Sequence, residues 1–233
     1  GSAITFPYAH GQTANFTLYA QWTAAALSCA NGGVCALGDI GPGGGKVFYV
    51  SATNFTSTGS DCNTACKYLE AAPTGWGNGI TVAGGETTGS STVDPFLKYC
   101  SDTTNLRNAT TKTAIGDGRP NTTSSANGVP TCTTGAIFHA ELYAGNGKTD
   151  WHLPSKNELN ELCKYARTQA FGANCTNEIA GSRRAGFVDD FYWSSSDNPE
   201  RGDDAYAQHF NNGGWNTGSR WDLYYVRPIR AFG

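Results

Sequence analysis

Residues 192–233 read YWSSSDNPERGDDAYAQHFNNGGWNTGSRWDLYYVRPIRAFG. Two regular blocks, YWSSS at Tyr192 to Ser196 and YVRPIRAF at Tyr225 to Phe232, enclose a middle crowded with Asn, Asp, Gly, Arg, Trp and Tyr. In that middle, Tyr206, Trp215, Trp221 and Tyr224 supply large, rigid contact area, and Arg201, Asp203, Asp204, His209 and Asn216 supply directional polar groups. This is the residue mix of a recognition surface. Alternation along a strand requires Tyr224 or Tyr225 to turn inward, and it places Trp193 and Phe210 in the core with Trp221 outside.

The chain around this stretch has 233 residues, enough to bury one sizeable core. Its net charge is −3, and Lys and Arg are scattered singly. The basic stripe that nucleic acid or anionic lipid demands is missing, so no nucleic-acid partner is expected. No apolar run approaches the ~18 residues of a membrane span, so direct membrane insertion is not expected either. Only 15% of residues are charged, and 30 are glycine, amid abundant Thr, Ser and Asn, a composition that suits a loop-rich extracellular domain. The opening Gly1-Ser2 reads as a cloning remnant, with a secretion signal expected upstream.

Eight cysteines fall in sequential couples: Cys29 with Cys35, Cys62 with Cys66, Cys100 with Cys132, and Cys163 with Cys175. Four local disulfides are the simplest of many connectivities. Closing the Cys100 to Cys132 loop contributes about 3–4 kcal/mol on the chain-entropy estimate. Zinc sites favour short cysteine gaps repeated in pairs, and only Cys62 to Cys66 has one, so no metal site is expected.

Along the chain, Phe16, Leu18, Ala20 and Trp22 alternate with polar residues, a strand signal. The Gly-rich turn Gly41 to Gly45 leads into the apolar run Val47 to Val50. A phosphate cradle needs the opposite order, strand then glycines then helix, so the turn is read as structural. Asp61 to Ala72 is predicted helical and stopped by Pro73. Thr74 to Pro130 lacks periodicity and reads as a long insertion pinned by Cys100 and Cys132. A helix is predicted from Gly135 through Ile137, Leu142 and Tyr143. Ser155 and Glu158 form a capping-box signature before the apolar stripe Leu159, Leu162, Tyr165 and Ala166. His152 has no nucleophile or carboxylate constellation around it and is read as a structural imidazole.

GPGGGKVFYV, YLEAAP, DWHLPSKNELNEL, YWSSS, F-N-N-G and YVRPIRAF, in this order over residues 38–233, resemble the bacterial family related to the C-terminal domain of the Legionella collagen-like protein. The resemblance implies an α+β, C-type lectin-like fold, distantly similar to the formylglycine-generating enzyme group. Two main helices then pack on a small twisted antiparallel sheet that carries a long disulfide-pinned insertion, with Val47 to Val50 and Val226 to Ala231 as neighbouring strands. The domain would span residues 25–233. Residues 1–24 contain YAHGQTANFTLYAQWT, which resembles the end of an internalin-type β-grasp repeat. They are read as a remnant of a surface repeat or a linking strand, with an ordinary edge strand of the main domain as the alternative. Both resemblances imply a bacterial, extracellular, cell-surface setting.

The ending YVRPIRAF is also similar to variable proteins of diversity-generating retroelements, in which a reverse transcriptase rewrites adenines in codons for ligand-facing residues. An AAY codon for Asn becomes NNY. Asn198, Pro199, Arg201, Gly202, Asp203, Asp204, Tyr206, His209, Asn216, Thr217, Gly218, Ser219, Asp222, Leu223 and Tyr224 are all NNY products. Glu200, Gln208, Trp215 and Trp221 are not, so they are fixed or arise from another codon. The expected ligand-binding set is these NNY positions without Pro199, Gly202 and Gly218, together with Glu200, Trp215 and Trp221.

The expected function is therefore non-enzymatic ligand binding through residues 198–224, with a protein or glycan on another cell or phage as partner. A formylglycine-generating activity would need a reactive cysteine pair, and no cysteine follows Cys175. Calcium is possible but not required: it seeks six to eight oxygens. Sugar-binding C-type lectins carry Glu-Pro-Asn or Gln-Pro-Asp and Trp-Asn-Asp triplets. Here Asn198-Pro199-Glu200 and Trp215-Asn216-Thr217 stand instead. The alternative kept open is a calcium-dependent or calcium-independent carbohydrate-binding adhesin domain. Asp203 and Asp204 argue against a glycosaminoglycan groove.

Overall fold

The computed structural model describes residues 25–101, 110–127, 131–167, 175 and 183–233. The alternating Phe16 to Trp22 segment and the proposed repeat remnant lie outside the described residues. The rest is an α+β domain with a C-type lectin-like fold, in which a three-stranded and a five-stranded sheet meet three α-helices among the described residues. The cysteines pair as neighbours: Cys29–Cys35, Cys62–Cys66, Cys100–Cys132 and Cys163–Cys175.

The three-stranded sheet contains β1 (Lys46–Phe55), β2 (Cys66–Ala71) and β8 (Ile229–Phe232), in the order β1-β2-β8. The helix predicted over Asp61 to Ala72 is thus a disulfide-closed turn followed by the central strand. Lys, Leu, Glu and Ala favour helix intrinsically, but two flanking strands offer this segment ladders on both sides, and tertiary pairing overrides propensity. For the same reason the strands begun at Val47 and ended at Ala231 are not neighbours: β2 lies between them. The Gly-rich turn before β1 serves β2. Gly43 and Gly45 donate their amides to the Glu70 carboxylate at 2.9 and 3.0 Å, and Gly44 takes φ +79°. Arg230 completes the cluster by pairing with Glu70, Asp61 and Asp150.

Helix α3 (Lys156–Ala166) begins as its sequence predicts. Glu158 N–H donates to Ser155 Oγ and Ser155 N–H donates to Glu158 Oε2 at 2.8 Å, a reciprocal cap that contributes about 1 kcal/mol. Its Leu159, Leu162 and Ala166 are fully buried, and Trp151 and Leu153 pack before its start. His152 is tied into the core, and contrary to the sequence expectation a carboxylate lies beside it, with Glu158 Oε2 3.8 Å from its Nε2. Its backbone bridges Ile229 in both directions, its ring is fully buried, and Nδ1 lies 3.2 Å from the Asp150 carbonyl.

Helix α2 (Gly135–Leu142) also forms where expected, burying Ile137, yet its Leu142 is 62% exposed. A third helix, α1 (Gly118–Ala126), lies inside the stretch that sequence reads as structureless. It has no apolar stripe to announce it. Polar residues seat it instead: Asn121 Nδ2 donates to the Lys112 carbonyl at 2.8 Å, and Leu153 N–H donates to Thr122 Oγ1 at 3.0 Å.

The five-stranded sheet has the order β3-β7-β4-β5-β6, with β3 (Phe96–Leu97), β4 (Phe191–Asp197), β5 (Asp204–His209), β6 (Trp215–Ser219) and β7 (Tyr224–Tyr225). Adjacent pairs are antiparallel except β4 and β7, which are parallel. Strand β4 is covered on both faces. Trp193 joins Leu97, Tyr99, Ala205 and Ala207 on one side, and Tyr192 joins Leu159, Leu162, Phe187 and Phe210 on the α3 side. Tyr192 stacks on Phe210 at 4.2 Å. The strand that opens the 192–233 stretch is therefore the spine of the domain.

Candidate functional site

Strand β6 is the edge of the sheet and pairs with β5 in the register Tyr206 to Thr217, Ala207 to Asn216 and Gln208 to Trp215. Alternation divides the hairpin between two faces. On the α3 side, Lys156 Nζ sits 3.8 Å from the Tyr206 ring centre and 5.1 Å from that of Trp215, with the two rings edge to face at 6.4 Å. Thr217 and Ser219 continue this face. Burial holds the Lys156 amine below its ordinary pKa. Gln208, deeper on the same face, donates to Asn160 Oδ1 and to the Gly213 carbonyl.

On the opposite face, Phe191 packs against His209 at 4.7 Å and Tyr224 at 5.2 Å, and Tyr224 lies 4.4 Å from Trp193. Asn216 shares this face. Burial, reinforced by Asp222, raises the Tyr224 phenol, which stays protonated at neutral pH. The expected ligand set therefore does not form one continuous front. The β5-β6 hairpin shows an aromatic-cationic patch on one side and an aromatic-imidazole patch on the other.

The turn from β6 to β7 joins them. Asp222 Oδ2 accepts from Ser219 N–H at 2.9 Å and Asp222 N–H donates back to the Ser219 carbonyl at 2.7 Å. This tight turn sends adjacent residues in opposite directions: Arg220 is fully buried while Trp221 is 51% exposed. Arg220 donates to Asp197 Oδ1 at 2.7 Å, and Tyr99 and Thr110 donate their hydroxyls to the same carboxylate. Leu223 is half-buried in the turn, beside Gly85.

Two expected display residues are corrected. Asn198 and Asp204 are only 8% and 6% exposed. They close the β4-β5 connection: Asn198 N–H donates to the Asp204 carbonyl, and Asn198 Oδ1 accepts from Glu200 N–H. Glu200 and Arg201 are exposed at the tip with Asp203 half-buried behind them, and Arg201 pairs with Asp204 at 3.3 Å. Gly218 is also scaffold. A Cβ there would stand 2.3 Å from Tyr224 Cε2 and 2.8 Å from Trp193 Cη2. Gly218→Ala is expected to destabilise the domain by about 1–3 kcal/mol through overpacking, read as a lower urea midpoint at unchanged slope.

Sequence reasoning missed Lys156 and Phe191. Lys156 reads as an ordinary first-turn residue of a capped helix, and nothing in linear sequence brings it beside Tyr206. Phe191 lies one position outside the quoted stretch. Among the described residues, no three His, Cys, Asp or Glu side chains gather into a metal-binding group. No helix there is long and apolar enough to cross a membrane.

The profile of the Lcl C-terminal domain matches residues 110–230, more than half of the chain. The chain belongs to the Lcl C-terminal domain family. The Lcl C-terminal domain match runs through all three helices described and from β4 into β8, so both strands of the β5-β6 hairpin fall inside it. Strands β1, β2 and β3, which sequence resemblance also included, lie before it. A comparison with curated proteins returned no match.

Proposed function

We propose that this chain is a non-enzymatic, surface-displayed ligand-binding domain whose partner is met by the β5-β6 hairpin and the β6-β7 turn. One observation carries the reading: within a single stretch, neighbouring residues divide sharply between anchor and display. Trp193, Phe210 and Arg220 are fully buried, while Trp215 and Trp221 are 38% and 51% exposed. Exposed tryptophans on a sheet edge and the turn that follows it are costly to leave in water and are the residue type most enriched in binding hot spots. The partner is a protein or glycan outside the cell, and the four disulfides suit that setting.

The display positions are further read as diversified by a retroelement, with Asn198, Asp204 and Gly218 now assigned to the fixed scaffold. Sequencing the locus tests this. A near-copy of the 192–232 coding segment differing at adenines, beside a reverse-transcriptase gene, is expected, and the scaffold codons should match between the copies. Absence of both features rejects diversification while leaving the binding reading to the substitutions at Trp215 and Trp221. A calcium titration by calorimetry separates the carbohydrate alternative in its calcium-dependent form: saturable heat at one site would favour the lectin.

A further inference from the structure

The display hairpin ends in an open strand edge. Of the two edges of the five-stranded sheet, β3 spans only Phe96–Leu97 and is bridged by Thr87, whereas β6 has no further strand beside it among the described residues. Antiparallel pairing with β5 spends the backbone of alternate residues. His209 N–H donates to the Gly214 carbonyl and Arg220 N–H to the Asp203 carbonyl, which makes Asn216 and Gly218 the residues bonded to β5. Trp215 and Thr217 therefore turn their N–H and C=O groups outward, while Ser219 N–H is taken by Asp222. Proteins blunt such edges with charged residues or proline, and the β6 sequence WNTGS contains neither.

The face beside this edge holds a cation without a counter-charge. Lys156 Nζ touches the Tyr206 and Trp215 rings but meets no carboxylate and no hydrogen-bond acceptor among the described residues. The neighbouring acids are committed elsewhere: Glu158 to the α3 cap, Glu161 to Lys164, and Asp204 to Arg201. Half burial strips the ammonium of part of its hydration, and nothing of opposite charge makes this good. The amine still keeps contact with solvent, so an incoming carboxylate can reach it. Tyr206 lies opposite Thr217, and a residue laid against Thr217 from outside would extend that row on the same face. Threonine is small, so a glutamate in that place reaches back over it towards Lys156.

Taking the display reading as given, we propose that β6 accepts an extended segment of a protein partner as an added antiparallel strand, with an acidic side chain opposite Thr217 that pairs with Lys156. Backbone bonds to Trp215 and Thr217 supply affinity, and the pair with Lys156 sets register and choice of sequence.

Acetyl-Thr-Val-Glu-Val-Thr-amide and its Gln counterpart are the probes, titrated at pH 7.5 into the isotope-labelled full chain and followed by amide chemical shifts. Shifts at Trp215 and Thr217 are expected, with the Glu peptide binding about 5- to 30-fold more tightly than the Gln peptide, the range for a half-buried charge-assisted pair. Methylating the glutamate nitrogen removes a donor to the edge and should weaken the peptide at least about tenfold. Lys156→Met keeps an apolar stem over Tyr206, so it should abolish the Glu preference and leave the Gln peptide within about twofold, while Lys156→Arg should retain the preference. Equal binding of the Glu and Gln peptides overturns the proposal, as does a methylated peptide that binds unchanged or the absence of shifts at Trp215 and Thr217. Glucuronate moving the same amides as tightly as the Glu peptide also overturns it, because the carboxylate alone would then be recognised and the partner would be an acidic sugar. Any of these failures leaves the display reading in place so long as Trp221→Ala weakens the partner. If both tryptophan variants bind the partner unchanged, both readings fall.

Discussion

Arg220→Ala is expected to destabilise the domain by about 3–5 kcal/mol, although the residue lies in the middle of the most irregular stretch of the chain. Both partners of the Arg220–Asp197 pair are fully buried at 2.7 Å, and the Arg220 guanidinium also lies 4.7 Å from the Tyr99 ring centre. Removing the arginine leaves Asp197 with hydroxyl donors from Tyr99 and Thr110 but without this counter-charge. The pH dependence has a definite sign. Burial pushes the Asp197 carboxyl above its ordinary pKa, and Arg220 pulls it down. In the variant the hydrogen bonds from Thr110 and Tyr99 still hold it down, but the largest downward pull is gone, so the folded pKa rises further above the unfolded one. A carboxyl of that kind binds its proton more tightly when folded, and stability falls as pH rises from the unfolded pKa through the folded one. The loss should therefore be smaller near pH 4.5 than at pH 7.5. Urea unfolding of both proteins at the two pH values measures it. A difference below about 1 kcal/mol at pH 7.5 would show that the pair contributes little. The double variant Arg220→Met with Asp197→Asn should recover part of the loss, because no charge is then left buried.

The second large effect falls on binding. Trp221→Ala should weaken association with the partner by about 30- to 1,000-fold, equivalent to about 2–4 kcal/mol, with Trp215→Ala in the lower half of that range. The ordering follows exposure and support. Trp221 is 51% exposed on a turn held by Asp222, while Trp215 is 38% exposed and already shares contact with Lys156 and Tyr206. Neither change should alter stability by more than about 0.5–1 kcal/mol, since both side chains are largely outside the core. Asn198→Ala should do the reverse, lowering stability by about 1 kcal/mol through the opened β4-β5 turn and leaving direct contacts intact. A crosslinking group placed at the exposed position 211, in the β5-β6 turn, identifies the partner, and surface plasmon resonance then gives the affinities. If both tryptophan variants bind within twofold of the unaltered chain, the display surface lies elsewhere.

The two faces of the hairpin bear on how such a surface can be used. A flat partner cannot touch Trp215 and His209 together, because alternation points them to opposite sides of one sheet. A partner that grips the β6 edge, or one that chooses a single face, is compatible with the geometry. Alanine at Tyr206 and at His209 would distinguish these cases.

Much of this molecule is legible in residue order alone. Neighbouring cysteines couple because short loops close at low entropic cost. Ser155 and Glu158 announce α3 because a capping box is a local hydrogen-bond pattern. Trp193 and Phe210 declare themselves core because large apolar groups flank a strand's inward positions. Each of these is determined by chemistry within a few residues. What only the tertiary structure decided depends on partners distant in sequence. Cys66–Ala71 becomes a strand because β1 and β8 supply its ladders, and α1 forms on polar contacts from Lys112 and Leu153. Arg220 turns inward because Asp197 and Tyr99 wait beneath it, Gly218 is fixed by the two rings above it, and Lys156 reaches Tyr206 from another element. Composition marked residues 192–233 as a surface for recognition. Long-range packing determined which of them are free to recognise anything.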